Sequence, residues 1–296
     1  MESRRDIIHM AGALAGFGLL GTTRPASAQP ERQSLAKLGD ELARIERDSG
    51  GRLGVALRDT GSGEQVALHG GDAFPMCSTF KLLAAAAVLR RVDEGPEKLD
   101  RRVVYAKSDL VTYSPATEKH VQDGMTLAQL CEAAMTLSDN TAGNLLLAAI
   151  GGPAGLTAFA RSLGDPVTRL DRIETALNEA VPGDPRDTTT PLAMLDNVHK
   201  LALGDALSEA SRKHLTGWLL GSKTGEGKLR AGLPPTWRVG DKTGSGERGT
   251  TNEIGVAWPQ NGAPVVFAIY LTNTTADAKD RNATLAAVGR ALMATR

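Results

Sequence analysis

A serine and a lysine three residues apart are the first candidates for chemistry in this sequence. They lie in Ser78-Thr79-Phe80-Lys81, where a strongly helical run begins. Residues i and i+3 share a face of a helix, so the Ser78 hydroxyl and the Lys81 amine can meet. Serine is a weak nucleophile unless a neighbouring base takes its proton. A partly desolvated lysine can be that base, because burial lowers its pKa. The pattern indicates nucleophilic catalysis, although S-x-x-K alone is weak and also occurs at residues 34–37.

Two more tripeptides could belong to the same site. Ser138-Asp139-Asn140 stands at a break between two helical stretches, and Lys242-Thr243-Gly244 follows a short predicted strand. The first could simply be a helix N-cap. The second could be a turn, or its glycine could let a ligand approach the strand backbone closely. Another K-T-G, at Lys223-Thr224-Gly225, has no strand pattern around it, and we interpret it as an ordinary turn in a glycine-rich loop.

The order of these motifs along the chain is more specific than any one of them. S-x-x-K, S-D-N and K-T-G in this order are the motif set of class A β-lactamases and penicillin-binding proteins. The chain resembles a class A serine β-lactamase over nearly its whole length after residue 28. Other matching stretches lie at 113–120, 138–144, 169–174, 187–191 and 241–248. Those at 230–234 and 250–252 are most similar to the cefotaximase-like branch.

The resemblance implies a catalytic role for each motif. Ser78 would attack the lactam carbonyl and form an acyl-enzyme. Either Lys81 or Glu174 would take its proton, and the alternatives stay open. Ser138 would pass a proton to the departing nitrogen. Glu174 and Asn178 are four residues apart, so in a short helical turn they could hold the water that hydrolyses the ester.

The resemblance also implies substrate contacts and a structural ion pair. The backbone N–H groups of Ser78 and Ser245 are the expected oxyanion hole. Arg172 and Asp187 would close the neck of the loop that carries Glu174. The implied substrate-binding residues are Asn140, Asn178, Lys242, Thr243, Ser245, Tyr113 and Lys228. Lys228 is included as a point charge for the substrate carboxylate, because Thr251 and Asn282 stand where relatives can have an arginine. A shift of one residue would instead bring Arg281 into place.

Two features depart from the family pattern. Thr175 follows Glu174, where relatives often have a proline after a cis peptide bond, and we expect that bond to be cis here as well. Cys77 and Cys131 lack the partner cysteines of bridged relatives, so we expect two free and buried thiols.

Composition excludes several other classes of function. Lys plus Arg (34) equals Asp plus Glu (34) in 296 residues, so no basic surface argues for nucleic acid. Two cysteines cannot build a disulfide scaffold. The five histidines show no HxH or HExxH spacing, so a zinc hydrolase is not expected. We expect no metal and no cofactor, and the expected partners are small β-lactam substrates and inhibitors, with the protein acting as a monomer.

The first 28 residues have the pattern of a secretory signal. Arg4-Arg5 precedes a weakly apolar stretch, Ile7 to Leu20, and Ala26-Ser27-Ala28 then forms an A-x-A cleavage site. We expect cleavage after Ala28 and a periplasmic or secreted protein, by the twin-arginine route or by ordinary secretion. No other segment has 18 consecutive apolar residues, so no membrane span is expected in the mature chain.

Hydrophobic periodicity predicts the elements that position these residues. Strands are predicted at 53–57, 65–68, 237–240, 253–258 and 265–271, and helices at 35–45, 80–91, 127–137, 140–149, 155–163, 191–203 and 281–294. Strands thus lie at both ends of the chain, with helices between them. We predict an α+β fold, a three-layer α/β sandwich with an antiparallel five-stranded sheet and an inserted all-helical domain. The α/β domain would comprise 29–72 and 220–296, and the helical domain 73–219, with the active site between them.

Two other functions remain open at this point. A penicillin-binding DD-peptidase shares the three motifs but does not quickly hydrolyse its acyl adduct. A β-lactam sensor domain would bind the antibiotic and signal, but it should carry transmembrane helices and lack the Glu174 arrangement. Steady turnover of a chromogenic cephalosporin, compared with a single burst, separates these from a β-lactamase.

Overall fold

The two ends of the chain meet in one antiparallel sheet in the computed structural model, which describes residues 35–294. The predicted signal segment lies outside the described residues. Five strands form the sheet, in the order β2-β1-β9-β8-β7. The strands are β1 (Arg52–Asp59), β2 (Gln65–Leu68), β3 (Phe74–Pro75), β4 (Arg102–Val103), β5 (Met125–Thr126), β6 (Thr188–Thr189), β7 (Arg238–Ser245), β8 (Thr251–Trp258) and β9 (Val265–Thr272). The short pairs β3–β6 and β4–β5 stand apart from the main sheet.

Helices cover both faces of the sheet and fill the middle of the chain. They are α1 (Leu35–Ser49), α2 (Phe80–Asp93), α3 (Leu127–Glu132), α4 (Asn140–Ala149), α5 (Gly152–Ser162), α6 (Pro191–Ala202), α7 (Glu209–Leu220) and α8 (Ala278–Met293). Alternate residues of a strand point to opposite faces. On β9, Phe267 and Ile269 therefore join α1 and α8 in one hydrophobic cluster. Ala268 and Tyr270 join the helices of the middle segment in another. The predicted three-layer α+β fold is confirmed.

Helix α2 is the buried centre of the helical segment. Residues 80–89 are all buried, and four consecutive alanines in this stretch keep the helix narrow enough for α4, α5 and α7 to pack against it. Lys81 is the one charged residue in that buried run. An amine in such a place must be paired or neutral, because burying an unpaired charge is costly.

Three element predictions differ from the structure. Helix α7 was not predicted; only Leu215, Trp218 and Leu219 are its buried apolar residues, a pattern too sparse to detect. The predicted helix at 127–137 ends at Glu132, and residues Ala133–Leu137 form a π-helical turn instead. Strand β7 continues five residues beyond Gly240, because every residue from Arg238 to Ser245 pairs with β8. The K-T-G motif therefore lies in the strand and not after it.

Within residues 35–294, no single helix is long and apolar enough to cross a membrane. Helices α4 and α5 reach that length and composition together, but a bend of 72° separates them.

Candidate active site

The nucleophile candidate lies where a tight turn leads into α2. Residues Cys77–Thr79 form a 3₁₀ turn, and Phe80 begins the helix. Ser78 is therefore just before the helix and not inside it, yet the spacing still brings Lys81 to it: Lys81 Nζ donates to Ser78 Oγ at 2.8 Å. Ser78 is buried, with 7% of its surface exposed.

Lys81 is fully buried and surrounded by oxygen atoms. Besides Ser78 Oγ, its amine donates to the Ser138 carbonyl at 2.9 Å and to Asn140 Oδ1 at 2.7 Å. It also lies 2.9 Å from Glu174 Oε1. Burial lowers the pKa of the amine, although the nearby Glu174 carboxylate opposes that change. A lowered pKa makes the amine easier to deprotonate, and a general base must be deprotonated to act.

Glu174 connects the nucleophile to Asn178. Its Oε1 accepts a hydrogen bond from Ser78 Oγ at 3.0 Å, and its Oε2 accepts one from Asn178 Nδ2 at 2.5 Å. Asn178 closes the 3₁₀ turn Ala176–Asn178, one turn after Glu174, as the four-residue spacing predicts. Its other side-chain atom, Oδ1, is buried without a hydrogen-bond partner among the described residues. The Glu174–Thr175 peptide is cis, as expected.

The loop that carries Glu174 is closed by an ion pair. Arg172 Nε donates to Asp187 Oδ2 at 2.6 Å. Asp187 is 1% exposed, and its Oδ1 also accepts the backbone N–H groups of Asp171 and Arg172. Arg172 reaches in the other direction to the exposed Glu179 at 2.6 Å. The predicted pairing of Arg172 with Asp187 is therefore present, and it joins the two ends of the loop.

Ser138-Asp139-Asn140 serves structure and site together. Ser138 has a left-handed backbone (φ 60°) at the end of the π-helical turn, and its Oγ accepts a hydrogen bond from Lys242 Nζ at 2.9 Å. Asp139 caps α4 by accepting the N–H of Ala142 at 2.8 Å, so the N-cap interpretation is correct as well. Asn140 directs its amide to the Thr112 carbonyl and its oxygen to Lys81.

Strand β7 forms the opposite side of the site. Lys242 is buried and donates to Ser138 Oγ and to the Thr243 carbonyl. Burial, and then the positive charge of Lys81, lower the pKa of Lys242 well below its usual value. Ser245, at the end of the strand, is exposed. Tyr113, 57% exposed, lies at the rim, and its backbone carbonyl accepts the Asn140 N–H at 3.0 Å.

Comparisons with known proteins identify this arrangement. The chain matches the model of a β-lactamase enzyme family over residues 37–295. It is 51% identical to β-lactamase OXY-1 of Klebsiella oxytoca, over 98% of this chain and 97% of that one. The chain belongs to the class A β-lactamases. Among solved structures, an ancestral class A β-lactamase matches with a TM-score of 0.86 and 64% identity, over 86% of this chain and 98% of that one.

One further match agrees with the branch that the motifs indicated, and another agrees with the class. β-Lactamase Toho-1 of Escherichia coli is 53% identical over 84% of this chain and 86% of that one. A putative class A β-lactamase, PenP of Rhodopseudomonas palustris, has a TM-score of 0.85 and 64% identity, over 86% of this chain and 98% of that one. The predicted class A β-lactamase of the cefotaximase-like branch is confirmed, and the comparisons give no support to the DD-peptidase alternative. As a class A β-lactamase, the chain hydrolyses β-lactams and belongs to the enzymes of antibiotic resistance.

Two cations, Lys228 and Arg281, lie near the K-T-G strand of this class A β-lactamase, and they have different hydrogen-bond partners. Lys228 is 7% exposed, and its amine donates to the Thr224 carbonyl at 3.4 Å. Arg281, and not Asn282, reaches Thr251, with Nε 3.0 Å from Thr251 Oγ1. Thr251 pairs with Ser245 in the sheet, so the structure brings Arg281 to the end of the strand that lines the site.

Two residues at this site were not assigned from the sequence. Asn144 holds the Glu174 backbone from both sides: its Oδ1 accepts the Glu174 N–H at 2.8 Å, and its amide donates to the Glu174 carbonyl at 3.0 Å. Its position four residues after Asn140, on the same face of α4, could have indicated this. Thr224 of the second K-T-G is the other. That segment is a loop, as predicted, but it contacts β7 directly.

The two cysteines and the side chains that could bind a metal were also subjects of prediction. Cys77 and Cys131 are free and buried, which confirms the prediction. Among the described residues, no group of three or more His, Cys, Asp or Glu side chains is arranged to hold a metal ion.

Proposed function

We propose that Ser78, Lys81, Ser138 and Glu174 carry out β-lactam hydrolysis, with penicillins and cephalosporins as substrates. The observation that carries this proposal is the position of the Glu174 carboxylate. One of its oxygens contacts the nucleophile and the other contacts Asn178. A single carboxylate can thus take a proton from a water molecule that attacks the acyl carbon bonded to Ser78 Oγ.

Acylation begins with attack of Ser78 Oγ on the lactam carbonyl carbon. The serine proton passes to Lys81 Nζ or to Glu174 Oε1, and both atoms lie within 3.0 Å of Ser78 Oγ. The oxyanion that forms is held by the backbone N–H groups of Ser78 and Ser245; loss of one such donor in other enzymes costs about 3–4 kcal/mol. The carbon–nitrogen bond then breaks. The nitrogen takes the proton of Ser138, and Lys242 replaces it through its 2.9 Å contact. The proton that Ser78 released then passes by way of Ser138 to Lys242, so Glu174 is a free carboxylate again before deacylation.

Deacylation needs a water molecule between Glu174 and Asn178. The unpartnered Asn178 Oδ1 can accept a hydrogen from that water, and Glu174 can take its other proton as the ester is attacked. The bond from the acyl carbon to Ser78 Oγ then breaks, and Glu174 gives the proton that it took from the water to Ser78 Oγ, its 3.0 Å neighbour. A DD-peptidase has no carboxylate in this relation to the nucleophile, so this step separates the two functions.

The substrate-binding residues are proposed on their positions around this centre. Asn140 and Tyr113 are joined by a backbone hydrogen bond at the start of α4, and Thr243 and Ser245 belong to β7. Asn140 would bond to the side-chain amide of the substrate. Lys228 would attract the substrate carboxylate as a point charge near Thr243.

The proposal also covers how the chain divides into domains, whether it is exported and how many copies assemble. We infer an α/β domain of 29–72 and 220–296 and a helical domain of 73–219, because β1, β2 and β7–β9 come from the two ends of the chain. We also infer a monomeric protein, exported to the periplasm or secreted, with the signal removed after Ala28. N-terminal sequencing of the exported protein tests the cleavage site.

The test of the proposed function is turnover of a chromogenic cephalosporin by the mature protein. The expected result is linear product formation well beyond one equivalent of enzyme, and none with Ser78→Ala. Product limited to one equivalent would instead assign the chain to the acyl-trapping enzymes or sensors. Full activity of Ser78→Ala would exclude the nucleophile.

A further inference from the structure

The second K-T-G segment, residues 223–225, packs against the first one. Thr224 Oγ1 lies 2.6 Å from Thr243 Oγ1, and the Lys223 N–H donates to the Thr136 carbonyl at 2.9 Å. Gly225 lies so close to β7 that a Cβ atom there would be 2.4 Å from Asp241 Oδ2. The segment is therefore fixed on the strand that lines the site, 19 residues away in sequence.

The hydrogen-bond network restricts which hydroxyl donates. Asp241 is fully buried and paired with Arg230, so its carboxylate accepts and does not donate. Ser222 Oγ must therefore donate in its 2.6 Å contact with Asp241, and its single proton is used there. Thr224 receives no proton from Ser222. The short contact between Thr224 and Thr243 contains one proton, contributed by one of the two hydroxyls.

The direction of that bond decides what Thr243 can offer to a ligand. If Thr243 donates to Thr224, its hydroxyl has no proton left for an anion in the site. If Thr224 donates, the Thr243 proton is free. Hydrogen bonds to charged groups are stronger than those between neutral groups. A bound carboxylate therefore favours the second arrangement, in which Thr224 donates to Thr243.

Thr224 also contacts the nearby cation through its backbone. Its carbonyl accepts the Lys228 amine at 3.4 Å. One residue thus holds both the hydroxyl and the ammonium group to which the proposed function assigns the substrate carboxylate. Lys228 is 7% exposed and has little room to move away from that position.

We propose that Thr224 is a positioning residue for recognition of the substrate carboxylate, acting through Thr243 and Lys228. This inference rests on the proposed function, which places the carboxylate at Thr243. The chemical class that it selects is a β-lactam with a free carboxylate beside the ring, in preference to the same β-lactam with that group esterified.

The experiment compares Thr224→Val with Thr224→Ser, using benzylpenicillin and its methyl ester. Valine has the shape of threonine without the hydroxyl, and serine keeps the hydroxyl. For Thr224→Val we expect KM for the acid to rise roughly tenfold, the upper range for one ordinary hydrogen bond, because Thr243 loses the hydroxyl that orients it. The value of kcat should change less, and the kinetics of the ester should change little. Thr224→Ser should keep KM for the acid near the parental value. An equal loss for acid and ester, or no loss, overturns the proposal.

Thr243→Val distinguishes failure of this inference from failure of the proposed function. If Thr243→Val weakens the acid and the ester equally, the carboxylate does not lie at Thr243, and both its proposed placement and the role of Thr224 are overturned. Hydrolysis itself falls only if the parent enzyme shows no steady turnover. If Thr243→Val weakens the acid more than the ester and Thr224→Val does not, only the role of Thr224 is overturned. In the double variant, an effect no larger than that of Thr243→Val alone supports action through Thr243. A fully additive loss contradicts it. Thermal unfolding of each variant confirms that the compared proteins are folded.

Discussion

Replacing Glu174 with glutamine should separate the two halves of the reaction. Glutamine keeps the shape of the side chain and can still contact Asn178, but it cannot take a proton from water. Ser78 keeps a second base, Lys81 Nζ at 2.8 Å. Acylation should therefore continue while deacylation slows by about 10²–10⁴, the usual contribution of a positioned general base. That range corresponds to about 3–5 kcal/mol of transition-state stabilisation.

Mass spectrometry after brief mixing with a penicillin measures both steps. The Glu174→Gln protein should be heavier by the mass of one antibiotic, and the adduct should persist while the parent enzyme returns to its free mass. Ser78→Ala should show no adduct. Glu179→Gln is the matched control, because Glu179 is on the same loop but exposed and paired with Arg172. It should turn over almost normally. Near-parental turnover by Glu174→Gln would refute the assignment, and slow turnover by Glu179→Gln would point to that residue instead.

Three other substitutions test the surroundings of the site. Asp187→Asn removes the buried partner of Arg172, so urea unfolding should show a loss of about 3 kcal/mol, near the lower limit for breaking a buried ion pair; an unchanged midpoint would contradict this. Gly246→Ala places a Cβ 2.8 Å from the Asn178 carbonyl. It should reduce stability by about 1–3 kcal/mol and slow penicillin turnover. Unchanged stability and turnover would contradict this prediction. Burial and Asp241 raise the pKa of Glu253 to about 8. The folded state thus favours the protonated carboxyl, and its contribution to stability is lost as pH rises from the unfolded pKa toward 8. Glu253→Gln should remove this loss, on the order of 3 kcal/mol between pH 5 and pH 8, in unfolding measured at both pH values; parallel pH profiles would argue against it.

Local spacing explains why much of the site was predictable. Ser78 with Lys81, and Glu174 with Asn178, are three and four residues apart, and one helical turn determines such pairs. The fold class followed similarly from alternation in the outer segments and helical periodicity in the middle. These predictions needed no knowledge of what packs against the element.

Tertiary contacts determine the features that the sequence did not predict. Glycine and lysine have low strand propensity, so the K-T-G motif seemed to end β7, but pairing with β8 extends the strand to Ser245. The same limit applies to Thr224. Its loop has no periodic pattern, and only the path of the chain across β7 brings its hydroxyl to Thr243. Asn144 likewise acts on a loop 30 residues away.

The sheet order has a consequence for truncated chains. Strand β9 is formed by residues 265–272, near the carboxyl end, yet it is the middle strand of the five. A chain that stops before residue 265 loses the link between its two hairpins, β2–β1 and β8–β7, and not merely an edge. Isolated two-stranded hairpins are at best marginally stable. During synthesis the sheet cannot close until β9 has been made. A stop codon between β8 and β9 should therefore be as damaging as one within the helical segment.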